Sequence, residues 1–414
     1  MDITKIKDRK DFKDIIEKTR LGCQGKEFSD IIDDDGHQYV DLVMEGGGML
    51  GIALLGYTYI LEAVGIRFLG IGGTSAGSIN ALLLAALGSP AEAKGDKLLH
   101  ELYSKNFFDF VDGDSDARDF INNWIEGAGN FKLAFKAAQV IDNIQNNLGL
   151  NPGVAFEEWI NQILKNEGIN TYSQLQSRLE TLPKGLRTRA GKILDTPEKA
   201  GSRMAIIAAD VSTETKVEFP KMAELYWKNP DNVNPAQFVR ASMSIPFFFY
   251  PFRLKNLPQG DEIRKKWDEL AGFIVDEEGG IPKDALFIDG GVMSNFPIDV
   301  FHDPYNIPIA PTFGAKLELD KRRKKINSPL EMLGTIFNSA RHTLDYDFIH
   351  KNPDYKKLVT WIPAKGYNWL DFRMPEEKKI SLFLEGARCA SDFLLEFNWS
   401  DYKKIRENIM LGHK

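Results

Sequence analysis

The stretch Ile66-Arg67-Phe68-Leu69-Gly70-Ile71-Gly72-Gly73-Thr74-Ser75-Ala76-Gly77, running into the apolar segment Ser78 to Leu87, decides the fold class. It reads as strand, tight turn, helix, with a serine between two glycines at the turn. Small flanking residues let a strained turn close, and the hydroxyl then stands at the top of a sheet. Twenty-odd residues upstream, Glu45-Gly46-Gly47-Gly48-Met49-Leu50-Gly51 follows the apolar run Tyr39 to Met44 and repeats the layout. Its glycines offer free backbone N–H groups at a helix start, where a negative oxygen would be stabilised.

Neither turn suffices alone. Gly-x-Ser-x-Gly recurs by chance as a plain strand-to-helix turn. Gly46-x-Gly48-x-x-Gly51 also satisfies the dinucleotide fingerprint, which requires an acid about 20 residues on, at the end of the second strand. Here that strand closes on Ile71-Gly72-Gly73-Thr74-Ser75, without an acid. No Gly-Lys-Ser/Thr follows the first glycines, so a phosphate loop is excluded as well. Serine chemistry is the surviving reading.

A nucleophilic serine requires a base, by default histidine. The chain has six: His37, His100, His302, His342, His350 and His413. His302, after Ile298-Asp299-Val300-Phe301, keeps a Ser-His-Asp arrangement open. The alternative base is Asp289, where the apolar strand Ala285-Leu286-Phe287-Ile288 ends in an acid followed by Gly290 and Gly291. An Asp before glycine is also a common turn former, and spacing alone leaves the two readings level.

The ordered blocks resemble the patatin-like phospholipases, a family of Ser–Asp dyad lipid acyl hydrolases. The glycine loop Gly46 to Gly51, the elbow Gly73-Thr74-Ser75-Ala76-Gly77 and the block Asp289-Gly290-Gly291 carry the resemblance. The segment Ala241-Ser242-Met243-Ser244-Ile245-Pro246 and Asn295-Phe296-Pro297 extend it over roughly residues 38 to 315. One position departs: Leu50 stands where the family usually has Arg or Lys. The resemblance implies a three-layer α/β/α fold with a mostly parallel central sheet and helical insertions. It implies Ser75 as nucleophile, Asp289 as base, and the amides of Gly47, Gly48 and Ala76 as the oxyanion hole. Acyl transfer to Ser75 and hydrolysis of the acyl-enzyme need no cofactor or metal. An aspartate is a weak base at its ordinary pKa, so Asp289 is expected in a partly buried pocket that raises its basicity. The rival functions are a serine esterase or acyltransferase using His302, and a catalytically weak effector or toxin-like member, for which Leu50 is the hint.

Composition bounds the rest. A chain of 414 residues with 43% hydrophobic content can bury one large core or two domains. A net charge of −7 gives no bulk attraction to nucleic acid. Cys23 and Cys389 lie at opposite ends in no metal-like spacing, which suits a reducing compartment. The charged N-terminus carries no secretory core, and Ile79 to Leu87 is too short to span a bilayer. The expected setting is cytoplasmic with transient visits to a membrane surface, with Sec-independent export, an oligomer and an activator left open.

Organisation reads as a polar helical leader over 1–37, a catalytic domain over 38–315 and a helical extension over 316–414. The leader ends in the acidic turn Asp33-Asp34-Asp35-Gly36, which lacks the further ligands of a calcium loop. A helical insertion is expected at about 89–200, and a second insertion at 253–284. The aromatic run Phe247-Phe248-Phe249-Tyr250-Pro251-Phe252 is read as pocket wall rather than a membrane-inserting tip. Lys321-Arg322-Arg323-Lys324-Lys325 is read as a solvated loop in preference to a head-group site.

Overall fold

The computed structural model describes residues 3–125, 141–273, 280–301, 305–318 and 351–412, with positions 275, 303, 335, 339, 348 and 349. Among the described residues there are twelve strands: β1 (Ile31–Ile32), β2 (Gln38–Met44), β3 (Ile66–Thr74), β4 (Gly149–Asn151), β5 (Arg187–Thr188), β6 (Arg203–Asp210), β7 (Thr215–Phe219), β8 (Phe247–Phe249), β9 (Phe252–Lys255), β10 (Asp284–Asp289), β11 (Thr312–Glu318) and β12 (Val359–Pro363). Ten form one sheet, with the path β12-β11-β2-β3-β6-β10-β9, and β4 pairs with β8 apart from it. The pairs from β12 through β6 are parallel, whereas β10 and β9 run antiparallel to their neighbours. Helices lie on both sides, which is the expected three-layer class.

Burial follows from the sequence. All nine residues of β3 are buried, as a central parallel strand covered on both faces requires. The helix Gly51–Ala63, apolar nearly all round, is buried at eleven of its thirteen positions. It packs against the helix Glu376–Glu396 at unusually close range. A Cβ on Gly56 would collide with the carbonyl of Phe383, and one on Gly386 with the carbonyl of Ala53. Two glycines facing each other's partner backbone let the helices approach this closely.

The course of β6 decides where the site forms. β7 pairs with Ile206 to Asp210 along one edge of β6. That overlaps both the span paired with β3 (Arg203 to Ile207) and the span paired with β10 (Ala208 to Asp210). A strand has two edges, so β3 and β10 share the other one, end to end. β3 stops at Thr74 beside Ile207, and β10, arriving from the opposite direction, stops at Asp289 beside Ala208. The residues at these two ends are therefore neighbours, although more than two hundred positions separate them in sequence.

The described residues of the segment 89–200 are mostly helical and also contribute β4 and β5. Within 253–284, expected as an insertion, β9 and the start of β10 join the main sheet, flanking the helix Asp261–Ala271. The C-terminal extension, expected to be helical, also supplies β12, in which Trp361 lies at the end of the sheet path. Val359 to Pro363 is a short alternating segment of branched and aromatic residues, which favours a strand once β11 offers an unpaired edge. The Lys321–Lys325 cluster lies outside the described residues, as do His302, His342, His350 and His413. Among the described residues no helix is long and apolar enough to cross a membrane.

Candidate active site

Ser75 sits between β3 and the helix Ala76–Ala86 with φ +52° and ψ −119°, a conformation that non-glycine residues seldom adopt. Holding it costs on the order of 1–3 kcal/mol, which the surrounding structure must supply. The two elbow glycines are steric necessities. A Cβ on Gly73 would strike the backbone of Gly77, and one on Gly77 would strike the carbonyl of Met44 at the end of β2. The Ser75 N–H donates to Ser242 Oγ at 2.9 Å, and Ser242 Oγ donates onward to the carbonyl of Ile207 at 2.6 Å. Ser78 Oγ donates to the Ser75 carbonyl at 2.6 Å, and Thr74 Oγ1 to the Ser294 carbonyl at 2.9 Å.

The Ser75 hydroxyl donates to Asp289 Oδ2 at 2.6 Å. Asp289 Oδ1 accepts the Gly291 N–H at 2.8 Å, and the Asp289 N–H donates to the Ser244 carbonyl at 2.8 Å. Ser75 is 4% exposed and Asp289 2%. Gly290 has no room for a side chain, because a Cβ there would meet the Ile207 carbonyl. The head-to-head arrangement of β3 and β10 thus requires the glycine after the acid. The described histidines lie elsewhere: His37 Nδ1 is 2.9 Å from Asp33 Oδ2, and His100 is exposed on the helix Gly95–Ser104.

The glycine loop lies against Ser75, with the Cβ position of Gly46 3.1 Å from Ser75 Cβ. Gly46 N–H donates to the Asn295 carbonyl at 3.0 Å and Met49 N–H to the Trp369 carbonyl at 2.9 Å. The amides of Gly47, Gly48 and Ala76 donate to no acceptor among the described residues. Gly48 adopts φ +54°, and a Cβ on it would run into the carbonyl of Trp369. Leu50, the position that departs from the resemblance, is fully buried.

An apolar cavity opens from Ser75, Ala76 and Gly48 and is walled by Phe107, Phe110, Phe156, Met243, Phe249 and Phe372. The aromatic run divides. Phe248 and Phe249 are buried, Phe248 stacked on Phe372 at 4.9 Å between centroids, whereas Phe247 is 37% exposed with φ +65°. Of the run Phe247 to Phe252 only Phe249 lines this cavity, and the pocket-wall expectation holds there alone.

Asp33, Asp35 and His37 bring ligand atoms within 4.8 Å of one another. Asp33 is already engaged, accepting the Tyr39 hydroxyl at 2.7 Å and the His37 N–H at 2.8 Å. The cluster reads as the brace of the turn before β2.

Ser75, Asp289 and the glycine loop, distant in sequence, meet here. Sequence reading gave no role to Glu45 and missed Lys316 and Trp369, which flank this loop, and Phe372 in the cavity wall. Nothing local marked the last two, which come from a stretch read as helical. Ser242 and Asn295 stood in quoted blocks, yet their bonding was not visible there.

A buried serine–carboxylate pair, an elbow and a glycine loop thus meet in one site. Residues 42–302 match the family described as Patatin-like phospholipase, and the chain belongs to that family. It is 28% identical over 361 residues to an uncharacterized protein, YqhO, of Bacillus subtilis strain 168, covering 87% of this chain and all of that one. Among solved structures it is similar to VipD from Legionella pneumophila, at 13% identity and a TM-score of 0.41, covering 90% of this chain and 70% of that one. It is also similar to ExoU of the Pseudomonas aeruginosa type III secretion system, solved with SpcU, at 18% identity and a TM-score of 0.34. That match covers 86% of this chain and about half, 51%, of the other.

Proposed function

We propose that this protein is a lipid acyl hydrolase of the phospholipase A or lysophospholipase type, working through Ser75 and Asp289. The observation that carries the reading is the 2.6 Å hydrogen bond from Ser75 Oγ to a carboxylate buried with it. Asp289 takes the hydroxyl proton as Oγ attacks the ester carbonyl, and the tetrahedral oxyanion is held by the amides of Gly47, Gly48 and Ala76. Collapse breaks the ester C–O bond, and the proton on Asp289 passes to the departing alcohol. Water then loses a proton to the same carboxylate, attacks the acyl-enzyme and releases the fatty acid and Ser75. The apolar cavity beside Ser75 suits an acyl chain. The lipid would be met at a membrane surface, since the bound chain must leave a bilayer to reach a buried serine.

The test is hydrolysis of p-nitrophenyl butyrate, together with fluorophosphonate labelling of the serine. Ser75→Ala and Asp289→Asn are expected to abolish turnover, and His302→Ala to leave it within about twofold. Loss of turnover with His302→Ala would replace the dyad by a triad. Unchanged turnover in Ser75→Ala would end the reading altogether.

A further inference from the structure

The end of β2 shows how the chain leaves the sheet to form the glycine loop. In the parallel ladder with β11, Met44 pairs with Ala315, so the next residues in register are Glu45 and Lys316. Glu45 still makes its first ladder bond, its N–H donating to the Ala315 carbonyl at 3.0 Å. A continuing parallel strand would next offer the Glu45 carbonyl to the Leu317 N–H. Here the side chain does so instead, Glu45 Oε2 accepting the Leu317 N–H at 2.5 Å. The carboxylate stands in for the main-chain acceptor, which frees the backbone to peel away at Gly46.

The same carboxylate is anchored twice more. Lys316 Nζ donates to Glu45 Oε1 at 2.6 Å, with Lys316 3% and Glu45 1% exposed. Asn295 Nδ2 donates to Glu45 Oε1 at 3.1 Å and to the Gly46 carbonyl at 3.1 Å, while the Asn295 carbonyl accepts the Gly46 N–H. Gly46, the first glycine of the loop, is therefore held by Asn295 at both its N–H and its carbonyl. Asn295 follows Asp289 by six residues, so the clamp ties the loop to the dyad's own chain segment. The Lys316 ammonium also lies 4.8 Å from the Phe296 ring centroid and 5.5 Å from that of Trp361.

A buried ion pair gains little stability over apolar packing, which makes a geometric role the better reason for this one. We propose that Glu45, held by Lys316 and Asn295, is a positioning residue that aims the Gly47 and Gly48 amides at the oxyanion. Lys316, from β11 and beyond the family-matched span, supplies beneath the loop the cation that Leu50 does not. This rests on the acyl-hydrolase reading above.

The test uses the full-length protein, with Glu45→Gln, Lys316→Met and the double variant, each checked for folding by circular dichroism and thermal melting. Readouts are kcat and KM for p-nitrophenyl butyrate and the Ki of a trifluoromethyl ketone, which binds serine as an oxyanion. The expected result in folded variants is a roughly 10- to 100-fold lower kcat, with Ki weakened in parallel and KM unchanged. Where a single variant does not fold, the double variant, which leaves no unpaired buried charge, carries the test. Folded variants that keep wild-type kcat and Ki overturn the positioning role alone. A wild type that does not hydrolyse the ester overturns the underlying function, and this role with it.

Discussion

Replacing Ser242 with alanine probes how the strained elbow is held. Ser242 is fully buried, accepts the Ser75 N–H at 2.9 Å and donates to the Ile207 carbonyl at 2.6 Å. Removing the hydroxyl leaves a buried N–H without a partner, at a cost of about 1–3 kcal/mol, and withdraws one bond from a β6 carbonyl that has a second lone pair. The expected total is about 2–3 kcal/mol. The Ser75 peptide, no longer tied to β6, can relax from φ +52° toward an ordinary helix start, carrying Oγ away from Asp289. A displacement of about 1 Å costs on the order of 100-fold in rate. Urea unfolding should show a lower midpoint at unchanged slope, and ester hydrolysis a reduced kcat. A stability loss below about 0.5 kcal/mol together with wild-type kcat would refute the claim that this hydroxyl holds the elbow.

Other expectations concern packing, specificity and pH. Gly386→Ala puts a methyl group against the Ala53 carbonyl and should cost roughly 3 kcal/mol or more, read as a lowered melting temperature; an unchanged melt would mean that the two helices can part freely. Phe372→Ala opens the cavity wall next to Phe248, so the chain-length optimum across a series of p-nitrophenyl esters should move to longer acyl groups; an unaltered optimum would place the chain elsewhere. Burial pushes the Lys94 ammonium down to about 8 from an ordinary 10.5. Between those pH values the unfolded chain holds more protons, so this residue adds stability as pH rises, by about 3 kcal/mol at the upper end. Urea titrations from pH 7.5 to 10.5 should show wild type gaining on Lys94→Met; parallel curves would contradict the assignment.

The chain's own sequence determined the local pieces. The glycines of the elbow and of the first loop are required by close backbone approaches within a few ångströms of where they stand. The β-branched and apolar runs before them fix strands, and the uniformly apolar Gly51–Ala63 segment fixes a buried helix. Such signals are legible because they arise from φ/ψ limits and side-chain periodicity over a dozen residues. Spacing alone left Asp289 level with a simple turn former, and nothing local raised Glu45, Lys316 or Phe372 above their neighbours.

Those were decided by tertiary structure. Asp289 meets Ser75 because β3 and β10 end on adjacent residues of one edge of β6. Glu45 meets Lys316 because the β2–β11 register places them side by side one step past the ladder's end. Trp361 lies in a strand because β11 had an edge to fill. Strand order and register depend on pairing between segments hundreds of residues apart, whose free energy is shared over many contacts. No short window of sequence contains that sum, so it had to be read from the folded chain.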